Sequence, residues 1–305
     1  MAMNRAWKKQ VTSIPSGTQI QGKFKGNSYL IKRKIGEGAI GTVYLCQFGK
    51  QTAALKISEK QTSMTLEVNV LKALKQVRGN LLGPALLDVD DWLAPNRQTY
   101  TFYVMEYVQG ESMQQFFRKN GASWLGLLMV QLLEDLEKLH KAGWVFGDLK
   151  TDNLLISQAP PKIRWIDVGG VTQIGRAIKE YTEFYDRGYW GLGSRRAEPS
   201  YDLFSVAIIF LEIFYPQRFA RPETKRANLL FKKIDKVKAL QPYAPVLKKA
   251  ITGKYTTSAE MQRELKQIIF SRKNQSRSKT GKIGLSEAMW IFLFSILSIL
   301  TSLCF

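Results

Sequence analysis

The stretch VFGDLKTDNLLI, residues 145–156, places a carboxylate, an amine and a carboxamide within a few positions of one another: Asp148, Lys150 and Asn153. Together they suit transfer of a phosphoryl group to a hydroxyl. Asp148 can orient the accepting hydroxyl and take up its proton, Lys150 can neutralise charge on the group in flight, and Asn153 can bind a metal ion. Further along, RWIDVGG sets Asp167 at the end of an apolar run, followed by Val168, Gly169 and Gly170. A carboxylate in that setting suits Mg2+, which seeks oxygen ligands. Taken singly, each aspartate also reads as a cap or turn residue.

Upstream, KIGEGAIGTVYL spaces Gly36, Gly38, Gly41 and Val43 as G-x-G-x-x-G-x-V. Glycines let the backbone approach phosphates without side-chain clashes. The spacing alone also fits a dinucleotide loop. The following residues, TVYLCQF, read as a strand, whereas a dinucleotide loop would open a helix. In TAALKIS, Lys56 sits inside an apolar β run, which is costly unless the amine has a partner or a task. The matching acid is Glu67 in TLEVNVLKAL, the only acid of that expected helix. A lysine on phosphate oxygens, steadied by a helical glutamate, completes a nucleotide-handling set. On its own, Glu67 reads as a solvent-facing helix residue.

Behind these groups stand two kinds of element. From Tyr29 to Val108 the chain shows short β-rich runs interrupted by one helical stretch. From Ser123 on, long helical patterns dominate, such as SWLGLLMVQLLEDLEKLHKAG and YDLFSVAIIFLEIFY. A small β-rich lobe followed by a larger helical lobe is an α+β, bilobal arrangement with a cleft between. There are no internal repeats.

Composition limits the alternatives. The 305 residues, 45% of them hydrophobic, suffice for a core without staples. The only cysteines, Cys46 and Cys304, are far apart, so no disulfide framework is expected; Cys46 reads as a small core residue. A single histidine, His140, excludes multi-histidine metal sites and reads as structural. The net charge of +20 is concentrated in blocks: Arg5 to Lys34, Arg221 to Lys249, and SRKNQSRSKTGK from Ser271 to Lys282. Such blocks draw a chain to nucleic acid, anionic lipid or acidic proteins, or simply form a solvated face. The last 18 residues, AMWIFLFSILSILTSLCF, carry no charge and as a helix would span about 27 Å, close to a bilayer core. With the basic run before it, this tail is expected to be a C-terminal transmembrane helix, a single-pass cell-membrane anchor that leaves the body in the cytoplasm.

In combination these motifs resemble the eukaryotic-type (Hanks-type) serine/threonine protein kinases of bacteria. GWVFGDLKTDNLL, IDVGG and GRAIKEYTEFYDRGYWG look especially like the YabT-type sporulation kinases of Bacillus relatives. The resemblance implies a kinase domain at 27–268, with an N-lobe at about 27–108 and a C-lobe at about 109–268. A basic segment at 1–26, a basic juxtamembrane linker at 269–284 and the anchor at 285–305 flank it. It implies ATP and Mg2+ as cofactors and protein substrates as partners. Asp148 and Lys150 become catalytic. Gly36, Gly38, Gly41, Val43, Lys56, Glu67, Glu106 and Tyr107 become nucleotide-binding, with Met105 beside the last two in the hinge. Asn153 and Asp167 become metal ligands, and Asp202 steadies the catalytic loop.

The chain departs from the family pattern at three places. Phe146-Gly147 replaces the His-Arg that precedes the catalytic aspartate, D-F-G reads Asp167-Val168-Gly169, and A-P-E reads Ala197-Glu198-Pro199. Phe146 can take over packing, but without the arginine a phosphorylated activation segment has lost its usual partner. None of the three changes removes a group that performs transfer, so an active non-RD enzyme is expected. Thr172, Thr182 and Ser194 are candidate autophosphorylation sites. The competing readings are a small-molecule phosphotransferase or RIO-like atypical kinase, and a membrane-tethered pseudokinase scaffold. The basic blocks add an expectation of sequence-tolerant DNA or anionic-lipid binding, with DNA stimulating activity through self-association.

Overall fold

The computed structural model describes residues 13–38, 40–75, 82–158 and 160–279, the side chains of 273–279 excepted. The expected membrane anchor, the end of the basic linker and residues 1–12 lie outside these residues. Among the described residues no helix is long and apolar enough to cross a membrane.

The first lobe is an antiparallel sheet of β1 (Gln19–Gln21), β2 (Ser28–Glu37), β3 (Thr42–Phe48), β4 (Gln51–Ser58), β5 (Leu86–Leu93) and β6 (Thr99–Glu106), in the order β1-β2-β3-β4-β6-β5. Helix α1 (Gln61–Lys75) packs on it. The sheet begins earlier than the expected start at residue 27, because Ile14 and Ile20 are buried and β1 pairs with β2. Alternation explains the strands: in β3, Thr42, Tyr44 and Cys46 face the interior while their neighbours are half-exposed. Burial pushes the Cys46 thiol up to about 12, so it is an inert core residue.

The second lobe holds β7 (Glu111–Ser112), α2 (Met113–Asn120), α3 (Leu125–Lys141), β8 (Trp144–Val145), β9 (Leu154–Ser157), β10 (Lys162–Trp165) and β11 (Thr172–Gln173). Helices α4 (Pro199–Glu212), α5 (Arg226–Lys236), α6 (Ala244–Ile251) and α7 (Ser258–Lys279) follow. Helix α3 forms because Leu125, Leu128, Leu132, Leu136 and Leu139 recur on one face, and all are buried. It stops at Gly143, whose φ of +86° suits glycine after a helix end. Helix α4 opens on Pro199 and is buried on every side from Tyr201 to Glu212, which makes it the axis of the lobe. Its last acid, Glu212, accepts hydrogen bonds from Thr151, Tyr185 and Arg218. Helix α7 runs to Lys279, so residues 269–279 of the expected linker continue a helix.

In the first lobe the β1–β2 hairpin is clipped to β5 by two buried acids. Asp88 accepts from Lys25, Asn27 and Tyr29, and Asp90 from the Phe24 and Lys25 amides. Burial alone would raise the Asp88 pKa, but bonds from Lys25, Tyr29, Asn27 and the Val89 amide outweigh it and hold the carboxyl down at about 2. A folded value below the unfolded one means stabilisation that is full above about pH 4 and lost as pH falls through the folded value. Denaturant melts should therefore show Asp88→Asn less stable than the parent at pH 7, with the difference shrinking between pH 4 and 2. A difference independent of pH would contradict this clip.

Candidate active site

The glycine-rich turn joins β2 to β3, and its three glycines are not equivalent. A side chain at Gly41 would meet the Ile57 carbonyl oxygen at 2.5 Å, so close packing on β4 demands glycine there. Gly38 has open space around it, and Gly36 meets only Val43, at 3.8 Å; both leave room above the strands for a ligand. Register then places the lysine: Val43 pairs with Lys56, and Lys56 with Tyr103. The glycine turn and the amine thus lie on adjacent strands.

Lys56 is buried, and its Nζ donates to Glu67 Oε1 and Oε2 at 2.9 and 2.7 Å. Glu67 also accepts from Tyr103 at 2.6 Å and is buried, contrary to its reading as a solvent-facing residue. Asp167 Oδ1 stands 3.6 Å from the same amine. Burial alone would lower the Lys56 pKa, but the charges of Asp167 and Glu67 outweigh it and hold the amine above its ordinary value. It is therefore a fixed cation facing the cleft.

The catalytic loop hangs on helix α4. Asp202, with no exposed surface, accepts the backbone amides of Phe146 at 2.7 Å and Gly147 at 3.0 Å. Its Oδ2 is also 2.9 Å from His140 Nε2, while the Ser258 hydroxyl lies 3.0 Å from His140 Nδ1. His140 is thus structural. Phe146 is buried edge-on against Trp165, with ring centroids 5.0 Å apart, and does the packing its position calls for.

Asp148 is then presented with its partners. Lys150 Nζ lies 2.6 Å from Asp148 Oδ2, and the Thr182 hydroxyl donates to Asp148 Oδ1 at 2.9 Å. Lys150 also donates to Thr182 at 3.0 Å. Thr182, weighed in the sequence as a phosphorylation site, has its hydroxyl engaged by both Asp148 and Lys150. Asn153 donates its amide nitrogen to the Asp148 carbonyl at 2.9 Å, and the Ile166 amide donates to the Asn153 carbonyl at 3.0 Å. This brings Asn153 beside Asp167, whose carboxylate is about half exposed. Among the described residues no three His, Cys, Asp or Glu side chains form a metal cage. Mg2+ does not need one, since it takes one or two protein oxygens and fills its octahedron with water and phosphate. The carboxylate of Asp167 and the amide oxygen of Asn153 are a donor set of that kind.

Glu106 turns its carboxylate to Arg164 Nη2, at 2.9 and 2.8 Å, so it can meet a nucleotide only through main-chain groups; Tyr107 packs partly buried at the core edge. The Ala197-Glu198-Pro199 run leads into α4, and Glu198 keeps an arginine partner in the helical lobe, Arg187 at 2.6 Å, despite the exchanged order of its last two residues. Two residues the sequence did not single out also matter. Asp186, fully buried, accepts from the Gly188 and Tyr189 amides, Arg195 and Tyr201, and nothing in its spacing announces this. Glu180 sets a further carboxylate near Gly169 in the cleft, and burial, then the charge of Glu67, push its pKa up.

The basic blocks are partly spent on the fold. Lys233 lies over Tyr215 and Phe219, Arg221 over Tyr189, and Lys248 and Lys249 pair with Asp235 and Glu264. Lys32, Arg33, Lys232, Lys236 and Lys238 are exposed.

Comparison with known proteins agrees with this geometry. A family model described as the protein kinase domain matches residues 29–285. The chain is 44% identical over 264 residues to the serine/threonine-protein kinase YabT of Bacillus subtilis, covering 86% of this chain and 78% of that protein. It is 29% identical to the sporulation protein kinase mde3 of Schizosaccharomyces pombe, over 66% of this chain and 40% of that one. Against human cyclin-dependent kinase 11A the identity is 25%, over 70% of this chain and 29% of that one. The chain belongs to the protein kinase family, whose members use ATP and Mg2+. It is an enzyme, a serine/threonine protein kinase of the bacterial Hanks type, similar to YabT.

Removing the Thr182 hydroxyl frees Asp148 and Lys150 from their shared partner. Thr182→Val should lower kcat about ten- to a hundredfold, the scale of a small misplacement of reacting groups. Nucleotide affinity should be unchanged, and Thr182→Ser should restore most activity. Steady-state kinetics with nucleotide-binding titrations check this.

Proposed function

We propose that this kinase transfers the γ-phosphoryl group of Mg-ATP to Ser or Thr hydroxyls of proteins as a non-RD enzyme. The observation that carries the reading is the triangle of Asp148, Lys150 and Thr182, closed by bonds of 2.6, 2.9 and 3.0 Å. In it Asp148 receives the substrate hydroxyl, orients it and takes up its proton as the oxygen attacks. Lys150 balances charge on the transferred group, and Thr182 fixes the Asp148 carboxylate in rotation. Lys56, held by Glu67, grips phosphate oxygens, with the Gly36–Gly41 turn above and Val43 at its base. Asn153 and Asp167 would hold Mg2+, which when bound screens the phosphate charge. Main-chain groups of the Met105–Tyr107 hinge receive the adenine.

Gly147 is why the reading is non-RD: there is no guanidinium beside Asp148 to meet a phosphorylated segment. The triangle also favours protein hydroxyls over a small-molecule acceptor, and retention of every transfer group disfavours a scaffold.

The finer setting is also a proposal. The uncharged run 288–305 anchors the chain in the cell membrane, with the kinase domain on the cytoplasmic side next to the basic run. Similarity to YabT and to a kinase named for sporulation supports a role in sporulation. The exposed cations Lys32, Arg33, Lys232, Lys236 and Lys238 support binding of DNA without sequence readout, which raises activity by gathering copies of the enzyme.

The test is labelled-phosphate transfer to the protein itself and to a generic basic protein, by the chain lacking residues 283–305, with and without duplex DNA. Transfer should be present and fall at least a hundredfold in Asp148→Asn and Lys56→Ala, as expected for loss of groups acting on the transferred phosphoryl. DNA should stimulate at low salt and lose its effect at high salt. Nucleotide binding without any transfer would make the chain a scaffold instead.

A further inference from the structure

The place usually given to an arginine beside the catalytic aspartate is closed in this chain. Gly147 has φ +79°, and a side chain there would meet the Gly170 carbonyl oxygen at 2.4 Å and Ile178 Cδ1 at 3.3 Å. Ile178 comes from the activation segment, the stretch running on from Asp167. Between Gln173 and Tyr181 it is the one buried residue: Ile174, Arg176, Ala177, Lys179 and Glu180 are all exposed. Its side chain is 4% exposed and forms a separate apolar cluster with Val145, Ala197 and Tyr201. Val145 adjoins Phe146 and Tyr201 adjoins Asp202, so this small core is attached to both sides of the bond that holds the catalytic loop.

The backbone around Ile178 is fastened as well. The Ile178 amide donates to Arg195 O at 2.8 Å, Ala197 to Arg176 O at 2.7 Å, and Gly175 to Ala197 O at 2.8 Å. The Ile174 amide donates to Gly143 O at 2.9 Å, and β11 pairs with β8. Four residues after Ile178 comes Thr182, whose hydroxyl sits on Asp148 and Lys150. Two of the nearby cations are already taken: Arg195 is committed to Asp186 and Arg187 to Glu198.

We propose that Ile178 is a positioning residue, an apolar plug that holds the activation segment in its transfer-ready course and makes activating phosphorylation unnecessary. The inference rests on the non-RD reading above and gives it a physical means. Elsewhere a phosphate bound to arginine can order such a segment through charge. Here burial of one branched side chain against Val145, Ala197 and Tyr201 does so, and Gly147 is glycine because the plug and the Gly170 carbonyl fill the space beside it. Substrate positioning then depends on an apolar contact remote from the nucleotide.

Ile178→Val, Ile178→Ala and Ile178→Asp separate this role from general stability. The parent, treated with phosphatase and shown by mass spectrometry to be unphosphorylated, should keep its initial rate within about twofold. Ile178→Asp should lose about a hundredfold in kcat/KM for the protein substrate, on the scale of a misplaced reacting group, with the Kd of a fluorescent ATP analogue unchanged. Ile178→Ala should fall between, and Ile178→Val should be close to the parent. Trypsin gives a readout that does not require activity: Arg176 and Lys179 flank the plug and should be cut rapidly in Ile178→Asp but slowly in the parent. If Ile178→Asp fails to fold, the same comparison is made with Ile178→Ala. Parental kinetics and parental trypsin resistance in Ile178→Asp would overturn the proposal, as would loss of parental activity on phosphatase treatment. A parent with no transfer before or after phosphatase would instead sink the kinase mechanism, and the trypsin comparison would still decide the plug.

Discussion

The bond between Asp202 and the catalytic loop is the constraint on which the rest of the site depends. A carboxylate with no exposed surface is tolerated only when its charge is met, and here two backbone amides and His140 meet it. Removing one partner of such a buried set costs about 3–5 kcal/mol, so the loop cannot leave without destabilising the axis helix itself. This couples the stability of α4 to the placement of Asp148. It also explains how the catalytic loop stays in place with Phe146-Gly147 instead of a His-Arg pair: Asp202 binds the main-chain amides at these positions, not their side chains.

Around this fixed point the cleft is organised by charge. Lys56 stands among the carboxylates of Glu67, Asp167 and Glu180, and its pKa is held up by those neighbours against its own burial. The three carboxylates outnumber the amine, and Mg2+ held by Asp167 and Asn153 would offset part of that negative excess. The Glu180 carboxyl pKa is raised too, but by partial burial first and the charge of Glu67 next. Opposite them, Lys150 is tied to Asp148 and Thr182, so each side of the transfer path has one immobilised ammonium.

Much of this was legible in the sequence because the chemistry is local. The glycine spacing, Lys56 in a strand, Glu67 in the next helix and the Asp148–Asn153 run each carry a short-range signature, and α3 and α4 announce themselves through apolar periodicity. What escaped was set by tertiary contact. Glu106 stands in the hinge as its position says, but which way its carboxylate turns depends on Arg164, 58 residues away in sequence. Asp186 and Glu212 lie in stretches with no special spacing, and only the aromatic and basic groups that converge on them mark them as anchors. Ile178 was invisible for a related reason: one apolar residue in a polar segment has no periodicity, and its meaning comes from Val145, Ala197 and Tyr201.

The proposed mechanism requires the catalytic loop and activation segment to be ordered before any nucleotide or phosphate arrives. The most direct measurement is amide hydrogen exchange of the unphosphorylated, nucleotide-free protein, resolved over residues 144–150 and compared with Asp202→Asn. The Phe146 and Gly147 amides of the parent should exchange as slowly as the buried amides of α4, and Asp202→Asn should release both. Fast exchange of these amides in the parent, slowed only by ATP or phosphorylation, would contradict it.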